Sequence, residues 1–198
     1  MMRSFYLSEL EQPLQALRTG ADVAISGVTT DSRQVQAGDL FVALRGERFD
    51  GHQFLPAVAA AGAVAAVVSD AVSSPLPLLR VADTRQALGQ LGACNRALYQ
   101  GPLVAITGSS GKTTVKNLVS AVLARRGPTL ATAGNLNNEI GVPLTLLRLA
   151  PEHQFAVVEM GAGRAGDIEL LCGFARPTIA LLLNAMPAHL QGFGSVED

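Results

Sequence analysis

Leu103-Val104-Ala105-Ile106-Thr107-Gly108-Ser109-Ser110-Gly111-Lys112-Thr113-Thr114 decides how this chain is read. An apolar run ends in a turn framed by two glycines. The turn ends in Lys-Thr-Thr, and an apolar helical pattern starts at once. That order is strand, phosphate-binding loop, helix. Glycines let backbone N–H groups converge on phosphate oxygens, and the new helix N-terminus adds the positive end of its dipole. Gly108, Ser109, Ser110, Gly111, Lys112, Thr113 and Thr114 are therefore candidate nucleotide-binding residues. Lys112 offers a mobile cation for the outer phosphates, and the Thr113 hydroxyl offers a magnesium ligand. The spacing departs from the general motif, which has four residues between its glycines. Here Gly108 and Gly111 enclose only Ser109 and Ser110, and Ile106 stands where the first glycine would fall. The shortened loop indicates nucleotide phosphate without indicating which enzyme.

Outward from the loop, strands alternate with helices. Val115, Leu118, Val119, Val122 and Leu123 recur at helical spacing, and Arg125, Arg126, Gly127 and Pro128 end that helix. A strand is expected at Thr129–Thr132, then a turn-rich loop from Gly134 to Pro143 and a short helix at Leu144–Leu149. A strand at Phe155–Met160, a helix from Asp167 to Phe174 and a buried strand at Thr178–Asn184 complete the pattern. Almost wholly apolar strands between helices predict an α/β fold with a parallel sheet covered on both faces. Toward the N-terminus, Ser8-Glu9-Leu10-Glu11 reads as a capping box for a helix bearing Leu10, Leu14 and Leu17, bent by Pro13 and ended by Gly20. Short strands at Val23–Ile25, Val28–Thr30, Leu40–Leu44, Val64–Val68 and Leu78–Val81, with a helix near Gln53–Ala61, make a second small α/β unit. Asp83 caps a helix reaching Tyr99. The expected domains are 1–82 and 83–198.

The bulk composition narrows the function. The chain has 198 residues, 48% apolar and 16% charged, with a net charge of −1. A charged share below the usual ~25% suggests surface normally covered by other chain. A near-zero charge gives no basic field for nucleic acid. Cys94 and Cys172 lack metal or redox spacing and read as reduced thiols, which fits a cytoplasmic protein. The opening residues do not form a signal peptide, and no apolar run approaches the ~18 residues of a membrane span.

Ligands of open α/β sheets sit beyond the carboxyl ends of the strands. Besides the loop, two strand ends carry candidates. Glu159 closes Phe155-Ala156-Val157-Val158, where a carboxylate is costly unless paired, and a magnesium ion at the phosphates would pair it. His189 follows the strand ending at Asn184; a solvated loop histidine is the plain alternative. The Asn135–Gly141 loop, with Asn138 inside it, offers amides to nucleotide or substrate, although turn chemistry alone explains it as well. Arg164 and Asp167 are explained equally by a cleft role and by a helix cap. His52 and His153 have no partner at ligand spacing.

These stretches together resemble the Mur ligase family. Thr107-Gly108-Ser109-Ser110-Gly111-Lys112-Thr113-Thr114 looks like that family's shortened phosphate loop. Asn137-Asn138-Glu139-Ile140-Gly141-Val142-Pro143, Glu159-Met160-Gly161 and Asn184-Ala185-Met186-Pro187-Ala188-His189-Leu190 are similar to family motifs in the same order. Thr30-Asp31-Ser32-Arg33, Gly38-Asp39-Leu40-Phe41-Val42-Ala43-Leu44 and Asp50-Gly51-His52 resemble the branch that adds D-alanyl-D-alanine to UDP-N-acetylmuramoyl-tripeptide. The sibling branch that adds the third amino acid shares the first two of these but tends to carry Asn-Thr-Thr-Pro in the loop.

The resemblance implies an N-terminal UDP-sugar-peptide domain followed by part of a central ATP-binding domain. It implies that Lys112 and the loop amides hold ATP phosphates, that Thr113 and Glu159 ligate magnesium, and that His189 helps hold a second magnesium. It places Asp31, Ser32 and Arg33 near the uridine nucleotide. The implied activity is a cytoplasmic, monomeric ATP-dependent amide ligase of peptidoglycan synthesis. Its substrates would be UDP-N-acetylmuramoyl-tripeptide and D-alanyl-D-alanine, and its intermediate an acyl phosphate. A sibling ligase with another amino substrate and a non-catalytic nucleotide-binding module are the alternatives. Ser195-Val196-Glu197-Asp198 reads as a helix start without a body, so the expectation is a truncated and, alone, inactive piece.

Overall fold

The computed structural model describes residues 2–46 and 49–187. It divides into two compact units, residues 1–94 and 95–198, and the division falls inside one helix. The first unit holds β1 (Phe5–Tyr6), α1 (Leu7–Leu14), β2 (Leu17–Thr19), β3 (Ala24–Ile25), β4 (Gly27–Thr29) and β5 (Asp39–Val42). A 3-10 turn, Gly51–Phe54, leads into α2 (Leu55–Ala60), β6 (Ala65–Val68), β7 (Leu78–Arg80) and the start of α3 (Thr84–Leu98). Five strands form one sheet in the order β2-β7-β6-β5-β4, parallel except for β2. β1 pairs with β3 outside it. All four residues of β5 and of β6 are buried, as expected for inner parallel strands. Phe41, Leu55, Val58, Ala66 and Val68 share one core.

The first helix is shorter than its apolar spacing suggests. It ends at Leu14, Gln15 turns left-handed at φ +51°, and Leu17 lies in β2, 62% exposed. Beyond Leu14 the N–H groups of Gln15 and Ala16 close the helix end on Gln12 O and Glu11 O at 3.1 and 2.8 Å. At the other end Glu9 reaches back to accept the Tyr6 N–H at 2.8 Å, so the helix opens earlier than Ser8. The cap at Asp83 stands as expected. Its Oδ1 accepts the N–H groups of Arg85 and Gln86 at 2.7 and 3.1 Å.

The second unit holds the end of α3, β8 (Leu103–Thr107), α4 (Lys112–Ala124), β9 (Thr129–Ala131), α5 (Gly141–Leu146), β10 (Phe155–Glu159), α6 (Asp167–Ala175) and β11 (Ile179–Leu182). Its four strands are parallel in the order β11-β8-β10-β9. One face of the sheet, with Leu103, Ala105, Ala156 and Val158, packs against Val142 and Leu146 of α5 and Leu171 and Phe174 of α6. The other face, with Val104, Ile106 and Val157, takes Val115, Val119 and Leu123 of α4.

Two expectations change here. The strand after α6 is not buried: β11 is a sheet edge, with Ile179 50% and Leu182 72% exposed. The apolar stripe of α4 is also narrower than its periodicity suggests. Leu118 and Val122 face outward, and the stripe Leu123, Val119 continues into Lys116, which is 3% exposed. Among the described residues, no helix is long and apolar enough to cross a membrane.

The end of α3 anchors two helix C-termini. Asn95 Nδ2 donates to the carbonyls of Leu146 and Leu149 at 2.8 and 2.9 Å. Buried Arg96 donates from Nε to Ala175 O at 2.7 Å, and from its two terminal nitrogens to Tyr99 O at 2.8 Å and Arg176 O at 2.9 Å. Burial pulls its pKa below the usual arginine value, and the negative end of α6 offsets that cost. Arg96→Met is expected to destabilise the protein by about 2–4 kcal/mol, because buried carbonyls lose charged donors. Urea unfolding checks this; a change below about 0.5 kcal/mol, the surface range, contradicts it.

Candidate functional site

The phosphate loop is shaped by two backbones that only glycine accepts readily. Gly108 has φ +143°, and a Cβ there would lie 3.1 Å from Leu183 Cβ; Gly111, with φ +80°, turns the chain into α4. The loop is stitched to the segment after β11. Asn184 O accepts the Ser109 N–H at 3.1 Å, and Asn184 Oδ1 accepts the Ser110 N–H at 3.0 Å. The Met186 N–H donates to Ser109 Oγ at 2.9 Å. Two loop amides are thus engaged by Asn184, whereas the first-turn N–H groups of α4 have no intrahelical acceptor. Lys112 curls over the loop, its Nζ donating to Gly108 O at 2.5 Å and to Ser109 O at 3.4 Å. His189 lies outside the described residues.

Glu159 is where strand geometry and chemistry meet. It ends β10 opposite Ile106 of β8 and is only 2% exposed. Its Oε2 accepts the Thr113 hydroxyl at 2.9 Å, and its Oε1 accepts Asn137 Nδ2 at 2.9 Å. Its own N–H donates to Thr132 Oγ1 at 2.9 Å. Lys116 Nζ stands 3.7 Å from the same Oε2. A buried carboxylate beside a threonine hydroxyl in the first turn of α4 is a hard-oxygen donor pair that suits magnesium. The residues present fit that ion.

Of the residues singled out in the sequence, Thr113 and Glu159 meet through a hydrogen bond, while Lys112 turns to the carbonyls of Gly108 and Ser109. Sequence reasoning missed Asn137 and Lys116. Lys116 was legible in principle, because it lies four residues from Lys112 and continues the Val119–Leu123 stripe.

Beside these residues opens a cleft of about 380 Å³, lined among others by Lys112, Asn137, Asn138, Gly161, Gly163 and Asp167. Asn138 is exposed there, and its Oδ1 accepts the N–H groups of Ile140 and Gly141 at 3.2 and 2.9 Å, which caps α5. This cap starts α5 at Gly141 rather than at Leu144. Asp167 Oδ2 accepts the N–H groups of Gly163 and Arg164 at 2.8 and 3.0 Å. The first of these bonds does most to hold the carboxyl below its ordinary pKa.

In the first unit, Asp31, Ser32 and Arg33 follow edge strand β4. Asp31 grips the Arg33 guanidinium at 2.9 and 2.8 Å and its N–H at 3.0 Å, which keeps the Asp31 carboxyl well below the usual range. Arg33 remains 85% exposed. Contrary to expectation, His52 has partners. Its Nδ1 meets Asp50 Oδ1 at 2.6 Å and its Nε2 accepts the Ser69 N–H at 3.0 Å. Asp50, His52 and Asp70 are close enough to share a cation, but Arg45 already holds both carboxylates, at 2.8 and 2.6 Å. The cluster is a set of ion pairs.

His52, then Arg45, holds the Asp50 carboxyl well below its ordinary value. A carboxyl with a depressed folded-state pKa stabilises above its unfolded value of about 3.9 and loses that contribution as pH falls. The unfolding free energy is therefore expected to drop below about pH 4. Asp50→Asn should make that drop shallower and lower the stability at pH 7. Urea unfolding at several pH values checks this, and parallel profiles for the two proteins contradict it.

The sequence matches the family description "Mur ligase middle domain" over residues 106–198 and "Mur ligase family, catalytic domain" over residues 24–96. A UDP-N-acetylmuramoyl-tripeptide--D-alanyl-D-alanine ligase of Escherichia coli (strain K12) is 50% identical over 195 residues, 98% of this chain and 43% of that protein. A crystal structure of MurF from Acinetobacter baumannii matches with a TM-score of 0.93 and 43% identity, covering 99% of this chain and 44% of the other. MurF ligase from Thermotoga maritima, solved in complex with ADP, matches with a TM-score of 0.80 and 37% identity, covering 86% and 40%. The chain thus spans less than half the length of these relatives.

Proposed function

Because the chain belongs to the Mur ligase family, we propose that its two units serve an ATP-dependent ligase that joins D-alanyl-D-alanine to UDP-N-acetylmuramoyl-tripeptide in the cytoplasm. The observation that carries the reading is the hydrogen bond from Thr113, in the first turn of α4, to buried Glu159 at the carboxyl end of β10, with Lys112 folded over the adjoining loop. It occurs in a sequence half identical to a ligase of that name.

In this reading the first-turn amides of α4 and Lys112 receive the ATP phosphates, with Gly108, Ser109, Ser110, Gly111 and Thr114 shaping the loop around them. Thr113 and Glu159 hold a magnesium ion, which when bound supplies positive charge to the β- and γ-phosphate oxygens. Asn137 and Thr132 fix the direction of Glu159. Asn138 lines the cleft beside them, and His189 serves a second magnesium. Asp31, Ser32 and Arg33 serve the uridine nucleotide.

The chemistry explains the need for cations. The terminal carboxylate of the tripeptide attacks the γ-phosphorus and displaces ADP, so two anions must approach each other. Lys112 stands where that repulsion must be offset. The resulting acyl phosphate is then attacked by the amine of D-alanyl-D-alanine; the amine loses its proton, an amide forms and phosphate leaves.

The test is phosphate release by a protein of the relatives' length carrying this sequence, with ATP, magnesium and UDP-N-acetylmuramoyl-tripeptide. Release is expected to require D-alanyl-D-alanine. Release supported equally by single amino acids, or by none, contradicts the assignment.

A further inference from the structure

Lys116 is a buried cation with no role in the chemistry above. It is 3% exposed on the inner face of α4. Its Nζ donates to Gly134 O at 3.5 Å and stands 3.7 Å from Glu159 Oε2. A structural ion pair would close to hydrogen-bond distance. This one does not; Thr113 and Asn137 hold the two oxygens of Glu159 instead. Lys116 therefore acts on Glu159 through charge. Burying an ammonium is costly, and a buried carboxylate within Coulomb reach offsets that cost.

The charges around the Thr113–Glu159 pair have a consequence. Lys116 and Lys112 bring two positive charges, and Glu159 brings one negative charge. Glu139 and Asp167 line the cleft beyond them, and Asp167 is itself paired with Arg164. A divalent cation arriving alone meets a carboxylate already balanced by Lys116. A polyphosphate on the loop reverses the local sign. Resting on the reading that Thr113 and Glu159 hold the metal, we propose that Lys116 is the resident counter-ion of Glu159. In that role it makes metal binding conditional on bound nucleotide. It is a positioning residue: it also ties Gly134, and so the loop that carries Asn137, to α4. The effect is coupling between two ligands, and it must be reciprocal.

The test titrates manganese(II), a spectroscopic substitute for magnesium, into the full chain with and without ADP. Free metal is read by electron paramagnetic resonance. The wild type is expected to bind manganese weakly alone and much more tightly with ADP. Lys116→Met is expected to bind manganese alone about tenfold more tightly or better, with the gain from ADP reduced by the same factor. Lys116→Arg, which keeps the charge, should behave as wild type; an Arg variant that behaves like the Met variant overturns the proposal, because packing rather than charge would then be responsible. Manganese affinity in Lys116→Met within twofold of wild type also overturns it.

Should Lys116→Met fold poorly, adding Glu159→Gln is expected to restore its melting temperature, and failure of that repair overturns the proposal. Glu159→Gln alone separates the two levels. If it still binds manganese with ADP as wild type does, the metal site itself is misassigned. If it loses that binding while Lys116→Met is unaltered, only the role of Lys116 falls.

Discussion

Lys112→Ala is expected to lower ATP-dependent turnover by at least about 100-fold, measured in a protein of the relatives' length. The reason is geometric and electrostatic. Lys112 opens α4, and its Nζ already reaches back over the loop to Gly108 O at 2.5 Å. An ammonium on a flexible four-carbon stem anchored in the first turn of α4 can turn from that carbonyl to a phosphate held by the α4 amides. In the proposed first step a carboxylate approaches a polyphosphate, so negative charge accumulates where the loop closes. Removing one preorganised donor aimed at developing charge typically costs two to three orders of magnitude in rate. The loss should fall on kcat more than on KM, because the charge matters most at the transition state. Near-normal turnover would remove Lys112 from the phosphate site. Lys112→Arg separates charge from shape: the guanidinium keeps the charge but cannot act as the same compact donor.

Glu159→Ala carries the second large effect. Its turnover should fall by at least about 100-fold, as for other losses of charge at a transition-state site, and its magnesium titration should shift to much higher concentration. Glu159 is the meeting point of four groups: the Thr113 hydroxyl, Asn137 Nδ2, Thr132 and the Lys116 ammonium. Truncation therefore removes the proposed metal ligand and strands a buried cation, and breaking a buried pair typically costs about 3–5 kcal/mol. Stability must be measured beside activity. Glu159→Gln preserves the shape and can keep Asn137 and Thr113 as partners, so it isolates the charge. An unchanged magnesium titration in the folded Gln variant excludes Glu159 from the metal site.

Much of this was legible in the residues because local rules and the fold agree. The run Leu103–Thr107 is apolar throughout, as an inner parallel strand must be, and it stands between β10 and β11. Glu159 was legible because a carboxylate at the end of Ala156-Val157-Val158 has no reason to be there without a partner. The misses follow from terms that a one-dimensional pattern does not carry. The apolar helical spacing runs through Leu17, but the helix ends at Leu14 because Gln15 turns left-handed. Leu118 and Val122 fit the helical period yet face away, because α4 lies against the sheet along the line of Val115, Val119 and Leu123. Lys116 was passed over for the opposite reason: its place on the apolar stripe marks it, yet a lysine reads as solvated until the fold brings a buried carboxylate near it. His52 gained its partners from Asp50 two residues away and from Ser69, seventeen residues away just after β6.

The central claim is that Gly108–Thr114 and Glu159 form one metal–nucleotide site. It is tested most directly by a crystal structure with ADP and manganese, in which the metal is located by its anomalous scattering. The expected result is a phosphate group on the first-turn amides of α4 and a manganese ion bonded to Thr113 Oγ1, with Glu159 Oε2 turned toward it. Nucleotide bound away from the loop, or a metal peak elsewhere with the Thr113–Glu159 hydrogen bond intact, contradicts the claim.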